Sequence, residues 1–299
     1  MQNLTILIVT FSTEKKLLIN CLNSIHKKFK VIIIENSKKF KSKNFFLKKY
    51  SNIQIFCTGK NLGYGGGNNF GLKKVTTEFA LILNPDTVLD HHFYLNYQNV
   101  IKNKDFSLMG CQYKFDRIFM PGGFFNKKKD QSFKKKFYIL KNNNLKMVEW
   151  ISGCAILVNL KKFQKRNIFD ENFFLYFEEY DLCKQLINKS KKILLSKKLK
   201  VHHLGYKSSS SQKKDFKEEA EKLRDWHWMW SYFYYHKKNF GYLYAFCVSF
   251  GKLLKALIKL IIFFLLFNNK KKNKYLYRFL GLISSIFGSS SYYRGKYFK

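Results

Sequence analysis

Acidic residues are scarce in this chain: 19 Asp and Glu stand against 56 Lys and Arg in 299 residues, a formal net charge of +37. An excess of that sign ordinarily points to nucleic acid, anionic lipid or phosphorylated ligands. No known nucleic-acid-binding motif accompanies the charge, which argues against specific nucleic-acid recognition. The lysines also travel with abundant Asn, Ile, Phe and Tyr, a bias that an AT-rich genome produces unaided. The six cysteines, at 21, 57, 111, 154, 183 and 247, contain no CxxC pair, so a zinc cage is not expected. The opening MQNLTILIVTFSTEKK has no basic n-region followed by an apolar h-region. It reads as a first strand rather than a signal peptide, which predicts reduced thiols in the cytoplasm. No internal repeat, P-loop ending GK[ST] or GxGxxG fingerprint is present.

The length suits one large α/β domain with an appendage, or two small domains. Leu4–Thr10, Val31–Glu35 and Phe79–Asn84 are short, β-rich apolar runs of the kind that form buried parallel strands. Between the first two, Leu17, Leu18, Cys21, Leu22 and Ile25 recur on one face of an amphipathic helix. A weaker strand, Ile53–Phe56, leads into a glycine-rich loop and a short helix. The alternation predicts an α/β doubly wound sheet binding ligand at its carboxyl edge. Residues 104–148 are less legible, and Lys127–Lys136 reads as an exposed loop. Order returns at Val148–Val158, followed by an acidic segment, a helix from Asp181 to about Lys189, and a strand at Ile193–Leu195.

From about residue 215 the composition shifts. Trp226, Trp228, Trp230, Tyr232, Phe233, Tyr234 and Tyr235 crowd together, followed by FGYLYAFCVSFGKLLKALIKLIIFFLLF and the basic run NNKKKNKY. Lys252, Lys255 and Lys259 interrupt the apolar stretch, so an in-plane amphipathic helix fits better than a transmembrane span. Aromatic residues at headgroup depth and lysines facing anionic lipid would supply two attachment signals. A helical lid or a homo-oligomer contact is the other reading. The expected division is therefore 1–215 and a helical, membrane-associating tail over 216–299.

Five motifs carry oxygen, nitrogen or glycine where chemistry needs them. IIIENS ends the second strand at Glu35 and Asn36, where an acid can accept hydrogen bonds from a ribose or base, or merely solvate a turn. NLGYGGGNNFG, residues 61–71, offers glycines for close backbone approach and positive φ, with Asn68 or Asn69 able to cap a helix. LILNPDTVLD ends a strand at Asn84, Pro85 and Asp86, a turn that can also hold a hard divalent cation through Asp86. FDENFFLYFEEYDLCKQL concentrates Asp170, Glu171, Glu178, Glu179 and Asp181 among aromatics. Partial desolvation there would raise a carboxyl toward a useful general base, while acids also favour the first turn of a helix. In KVHHLGYKSSSS, His202 or His203 at a strand end could complete a metal site or touch a diphosphate.

Taken in order, NLGYGGGNNFG, NPDT, SGCAILVN, FDENFFLYFEEYDLC and VHHLG resemble the family 2 glycosyltransferases, particularly the rhamnosyltransferase-like branch, over residues 3 to about 211. The resemblance implies a GT-A fold, a nucleotide-diphosphate sugar donor, Mg²⁺ or Mn²⁺, and inversion at the anomeric carbon. It implies an acceptor that is a glycan or polyprenyl-linked, in polysaccharide synthesis at the inner-membrane surface. By position, Glu35 would sit at the nucleoside, within a donor-binding set of Thr10, Glu35, Asn36, Asn61, Gly63, Asn68, Asn84 and Asp86. Asn84 and Asp86 stand where the family has its metal-binding D-x-D, Glu179 matches the base with Glu178 beside it, and His202 matches a histidine that reaches the metal in some members. Two departures are visible: the family's Glu-Asp pair is Glu178-Glu179, and the first D-x-D acid is Asn84. The competing class is a catalytically silent, basic membrane- or nucleic-acid-binding protein on the same scaffold.

Overall fold

In the computed structural model, residues 3–102, 104–113, 120–126, 128–131, 144–204 and 214–298 are described. They form two compact units: Met1–Lys60, Gly67–Phe169 and Leu182–Ser210 in the first, Asn61–Gly66, Asp170–Asp181 and Ser211–Lys299 in the second.

The first unit holds a large sheet. Its strands are β1 (Leu4–Thr10), β2 (Lys30–Glu35), β3 (Ile53–Cys57), β4 (Phe79–Leu83), β5 (Thr87–Leu89), β6 (Leu108–Tyr113), β8 (Leu145–Met147), β10 (Ala155–Asn159) and β11 (Ile193–His203); β7 (Gly122–Gly123) and β9 (Trp150–Ile151) make a separate ribbon. The order is β3-β2-β1-β4-β10-β6-β11-β5, with β8 also paired to β11. β3, β2, β1 and β4 run parallel, as do β6 and β11, while β10, β5 and β8 are antiparallel to their neighbours. Strand order reverses between β1 and β4, and ligands of open α/β sheets bind outside the carboxyl ends of strands at such a switch point. The ends of β1 and β4 are Thr10 and the Asn84 turn.

Both faces of these strands are covered, which is why they read as continuous apolar runs. Leu4, Ile6, Ile8, Val31, Ile33, Phe79 and Leu81 share one core with α1 (Lys15–Asn23) and α4 (Phe93–Val100). On the other face, α3 (Gly63–Leu72) lies against β1 and β2: a Cβ on Gly71 would sit 2.3 Å from Leu7 Cδ1, and one on Gly67 2.8 Å from Val9 Cγ1. The glycine-rich segment expected to be a loop is thus mostly helix, and Gly67 and Gly71, one turn apart, let the helix backbone approach the sheet. The short helix α2 (Lys43–Lys49) leads into β3.

The strand expected at Ile193–Leu195 continues to His203, because a register shift between Ser196 and Lys200 lets the lysines break the apolar pattern without ending the pairing. The helix expected from Asp181 begins three residues earlier as α5 (Glu178–Asn188), which places Glu178 and Glu179 in its first turn. Val148–Val158 resolves into β9 and β10. Of the expected loop Lys127–Lys136, residues 127 and 132–136 lie outside the described residues, as do residues 205–211 of KVHHLGYKSSSS. All six cysteines are free.

The second unit is helical: α6 (Lys214–Phe240), α7 (Tyr242–Leu265) and α8 (Asn269–Ile286). Met229, Phe233, Ala245 and Leu282 form its core. α8 approaches α6 so closely that a Cβ on Gly281 would lie 2.2 Å from the Trp226 carbonyl oxygen. Trp226, Trp230, Phe233 and Tyr235 are buried and only Trp228 of the tryptophans on α6 is well exposed. These four aromatics therefore fill an interior, while Trp228, Phe240, Tyr242 and Tyr244 are exposed. The exposed apolar surface is on α7, where the buried residues are the small Ala245, Ser249 and Ala256 and the large aliphatics point outward.

Candidate active site

At the carboxyl edge of β1 and β2, Thr10 Oγ1 donates to Glu35 Oε2 at 2.7 Å and Ser37 Oγ to Glu35 Oε1 at 2.8 Å. The backbone N–H of Ser12, a residue in the left-handed region at φ 49°, donates to the same carboxylate. Burial pushes Glu35 above the usual carboxylate range, and these three donors partly counter it. Asn36 donates its N–H to the Thr10 carbonyl at 2.7 Å and accepts from Thr58 Oγ1 at 3.2 Å. Thr10, Glu35 and Asn36 are thus brought together, all buried, with Glu35 tying the β1 turn to the end of β2.

Beyond β4, Asn84, Pro85, Asp86 and Thr87 form a turn closed by Thr87 N–H to the Asn84 carbonyl at 3.1 Å. The Asn84 N–H donates to the Cys154 carbonyl at 2.9 Å, and the Leu204 N–H to the Asp86 carbonyl at 2.9 Å. The Asp86 side chain is 1% exposed, and His203 Nε2 lies 3.5 Å from its Oδ1. Of the two histidines that the sequence offered, the structure brings His203 to Asp86. β11 pairs antiparallel with β5, His203 opposite Thr87 and His202 opposite Val88, so strand alternation turns the two imidazoles to opposite faces. Beneath the turn, the buried Cys21 thiol, raised by burial and by the Asp86 charge, stays protonated and contacts the Asn84 carbonyl at 3.9 Å.

A carboxylate and an imidazole at a turn suit a divalent cation of the Mg²⁺ or Mn²⁺ type, which takes few protein donors and completes its sphere with water and phosphate oxygens. Among the described residues there is no cluster of three or more His, Cys, Asp or Glu that could hold a metal by itself. Asp86 and His203 are two such donors, which fits a cation whose remaining ligands are phosphate oxygens and water.

Asn68 and Asn69 are fully buried on α3. Asn69, absent from the sequence-derived set, accepts at Oδ1 from the N–H groups of Ile168 and Phe169, both at 3.0 Å, and donates to the Phe169 carbonyl at 2.9 Å. Within the second unit, Asn61 accepts from the Gly63 N–H at 3.1 Å and donates to the Phe298 carbonyl at 3.1 Å. Gly63 has φ +75°, and a Cβ there would lie 2.1 Å from the Phe174 carbonyl oxygen. Asn61 and Gly63 are thus placed with the acidic segment.

That segment ends in two aromatic residues with left-handed backbone, Tyr176 at φ 70° and Phe177 at φ 69°. Such conformations cost on the order of 1–3 kcal/mol each and persist where the surroundings over-determine them. Phe177 packs against Trp228, Tyr232 and Tyr235 of α6. The bend delivers Glu178 and Glu179 at the start of α5. Burial and then the charge of Glu179 push Glu178 well above the usual range; burial raises Glu179 to about 7 against the backbone N–H groups of residues 179 and 180, which favour its ionised form. Both carboxyls of the pair are thus shifted toward the protonated form, chiefly because the helix start buries them.

The family described as "Glycosyl transferase family 2" matches residues 5–166, more than half of the chain. The chain is similar to the low-salt glycan biosynthesis hexosyltransferase Agl10 of Haloferax volcanii, 22% identical over 191 residues that cover 61% of each protein. It is also similar to the rhamnosyltransferase WbbL of Escherichia coli, 27% identical over 210 residues, 60% of this chain and 75% of the relative. Among solved structures it resembles the mannosyltransferase PcManGT of Pyrobaculum calidifontis, determined with GDP-Man and Mn²⁺, at TM-score 0.53 and 10% identity over 95% of this chain and 87% of that one. It also resembles GalNAc-T7, determined with UDP, GalNAc and Mn²⁺, at TM-score 0.53 and 13% identity over 78% of this chain and 50% of that one. With its mostly parallel sheet and C-terminal helices the fold is GT-A, and the chain belongs to glycosyltransferase family 2.

Proposed function

We propose that this protein transfers a hexose, rhamnose among the candidates, from a nucleotide-diphosphate donor to a glycan or lipid-linked acceptor, with inversion, in the synthesis of a surface polysaccharide. The acceptor O–H proton passes to Glu179 as that oxygen bonds to the anomeric carbon and the bond to the diphosphate breaks, releasing nucleoside diphosphate. Asp86 and His203 would hold Mg²⁺ or Mn²⁺, which supplies charge neutralisation of the departing diphosphate. Thr10, Asn36 and the α3 segment shape the donor end, with Glu35 ordering the β1 turn. The observation that carries the reading is the carboxyl pair at the start of α5, with Glu179 near neutrality where a base is most effective.

The α7 surface supports work at the inner face of a membrane. No described helix is long and apolar enough to cross one. Yet Leu243, Ile258, Ile261, Phe264 and Leu265 are all more than half exposed, beside the basic run Lys270–Lys272. Apolar area and lysines together give the two signals that interfacial attachment needs.

Screening nucleotide sugars with Mn²⁺ for thermal stabilisation identifies the donor. Glu179→Gln should then lower kcat by about 10²–10⁴-fold while leaving donor binding intact. Undiminished turnover in that variant removes Glu179 from the reaction.

A further inference from the structure

α6 carries polar groups at Ser231, Tyr234 and Lys238, spaced by three and four residues as one helical stripe requires, with Asn239 next to Lys238. Each engages Asp170–Asp181, the segment that contains the carboxyl pair. Ser231 Oγ donates to the Leu175 carbonyl at 2.9 Å, and Tyr234 Oη to Asp170 Oδ2 at 3.1 Å. Lys238 Nζ reaches both ends of the segment, 2.7 Å from Asp170 Oδ2 and 2.6 Å from Asp181 Oδ2, and Asn239 Nδ2 donates to Asp181 Oδ1 at 3.0 Å. The Asp181 side chain is 3% exposed, two residues past Glu179 in the same helical turn.

We infer that Lys238 is a positioning residue for the transfer reaction, spanning Asp170 and Asp181 so that the strained bend between them holds Glu179 in place. The inference rests on Glu179 being the base. A loop with two aromatic residues in the left-handed region relaxes unless both ends are pinned, and Lys238 touches both. It touches none of the donor-binding candidates in the contacts described, so its loss should act on turnover rather than on donor affinity. α6 then sets the base.

The test uses the full-length protein with its screened donor and compares Lys238→Met, Lys238→Arg and the double variant Lys238→Met/Asp181→Asn. The double variant removes Asp181, the more deeply buried of the two charges that Lys238→Met leaves without its ammonium, so it should keep the fold even where Lys238→Met alone unfolds. Displacement of a catalytic group by about 1 Å costs roughly 100-fold. Lys238→Met and the double variant should therefore lose about that factor in kcat with donor KM within twofold of the parent, and Lys238→Arg should restore most of it. A kcat within twofold of the parent in the folded Lys238→Met or double variant overturns the inference, as does a loss confined to KM. Glu179→Gln run in parallel separates the two readings: full activity there rejects the base itself, whereas an inactive Glu179→Gln beside a fully active Lys238→Met rejects the positioning role alone.

Discussion

Replacing Gly63 by alanine tests how tightly the glycine-rich segment is built against the acidic one. Two costs are visible. An L-residue in the left-handed region costs about 1–2 kcal/mol, and Gly63 sits at φ +75°. The added Cβ would lie 2.1 Å from the Phe174 carbonyl oxygen and 2.8 Å from its Cδ2. That is a backbone clash of the overpacking kind, worth about 1–3 kcal/mol. The sum is about 2–5 kcal/mol. Gly59 supplies the control, since it has φ +82° with nothing within 4 Å of an added methyl, so Gly59→Ala should lose only the backbone cost of about 1–2 kcal/mol. Urea denaturation of both variants isolates the clash. The Phe174 carbonyl also accepts the Tyr64 N–H at 3.1 Å, four residues before Glu178. A shift of about 1 Å there should lower kcat roughly 100-fold. If Gly63→Ala proves no less stable than Gly59→Ala and turns over at the parent rate, the packing argument is wrong.

The remaining expectations concern charge, metal and surface. Because Glu179 must be ionised to accept a proton, kcat/KM should fall as pH drops below about 7. A carboxyl raised in the folded state favours folding below its unfolded value near 4.5 and loses that contribution as pH rises through about 7. Glu179→Gln should accordingly raise Tm at pH 8 and leave it unchanged at pH 4, and equal shifts at both would contradict the assignment. Chelation should abolish transfer. His203→Ala should weaken the Mn²⁺ response by roughly 10–100-fold while His202→Ala changes it little; the reverse ranking would return the metal role to His202. Changing Ile258 and Ile261 to Glu should abolish flotation with anionic vesicles while leaving far-UV circular dichroism intact, and retained flotation would clear α7 of the membrane role.

Much of the fold was legible because its causes are local. β1 coincides with the apolar run Leu4–Thr10, and β2, β3 and β4 fall within one residue of theirs, since strands covered on both faces read as short, largely apolar runs. The Asn-Pro-Asp turn and the acids before Asp181 stood out for the same reason: turn chemistry and scarcity are properties of neighbours in the chain. The sequence alone therefore determined the doubly wound character of the sheet. Tertiary structure decided the rest. That His203 sits opposite Thr87, beside Asp86, is set by the β11–β5 register. The glycines of α3 serve helix-to-sheet approach at Gly67 and Gly71, which depends on what lies opposite. The raised Glu179 depends on desolvation, and Trp226, Trp230, Phe233 and Tyr235 of α6 are interior while α7 packs inward on small residues. Lys238 could not be singled out among so many lysines until Asp170 and Asp181 were seen on either side of it, because pairing across dozens of residues is a fact of folding and leaves no mark in spacing.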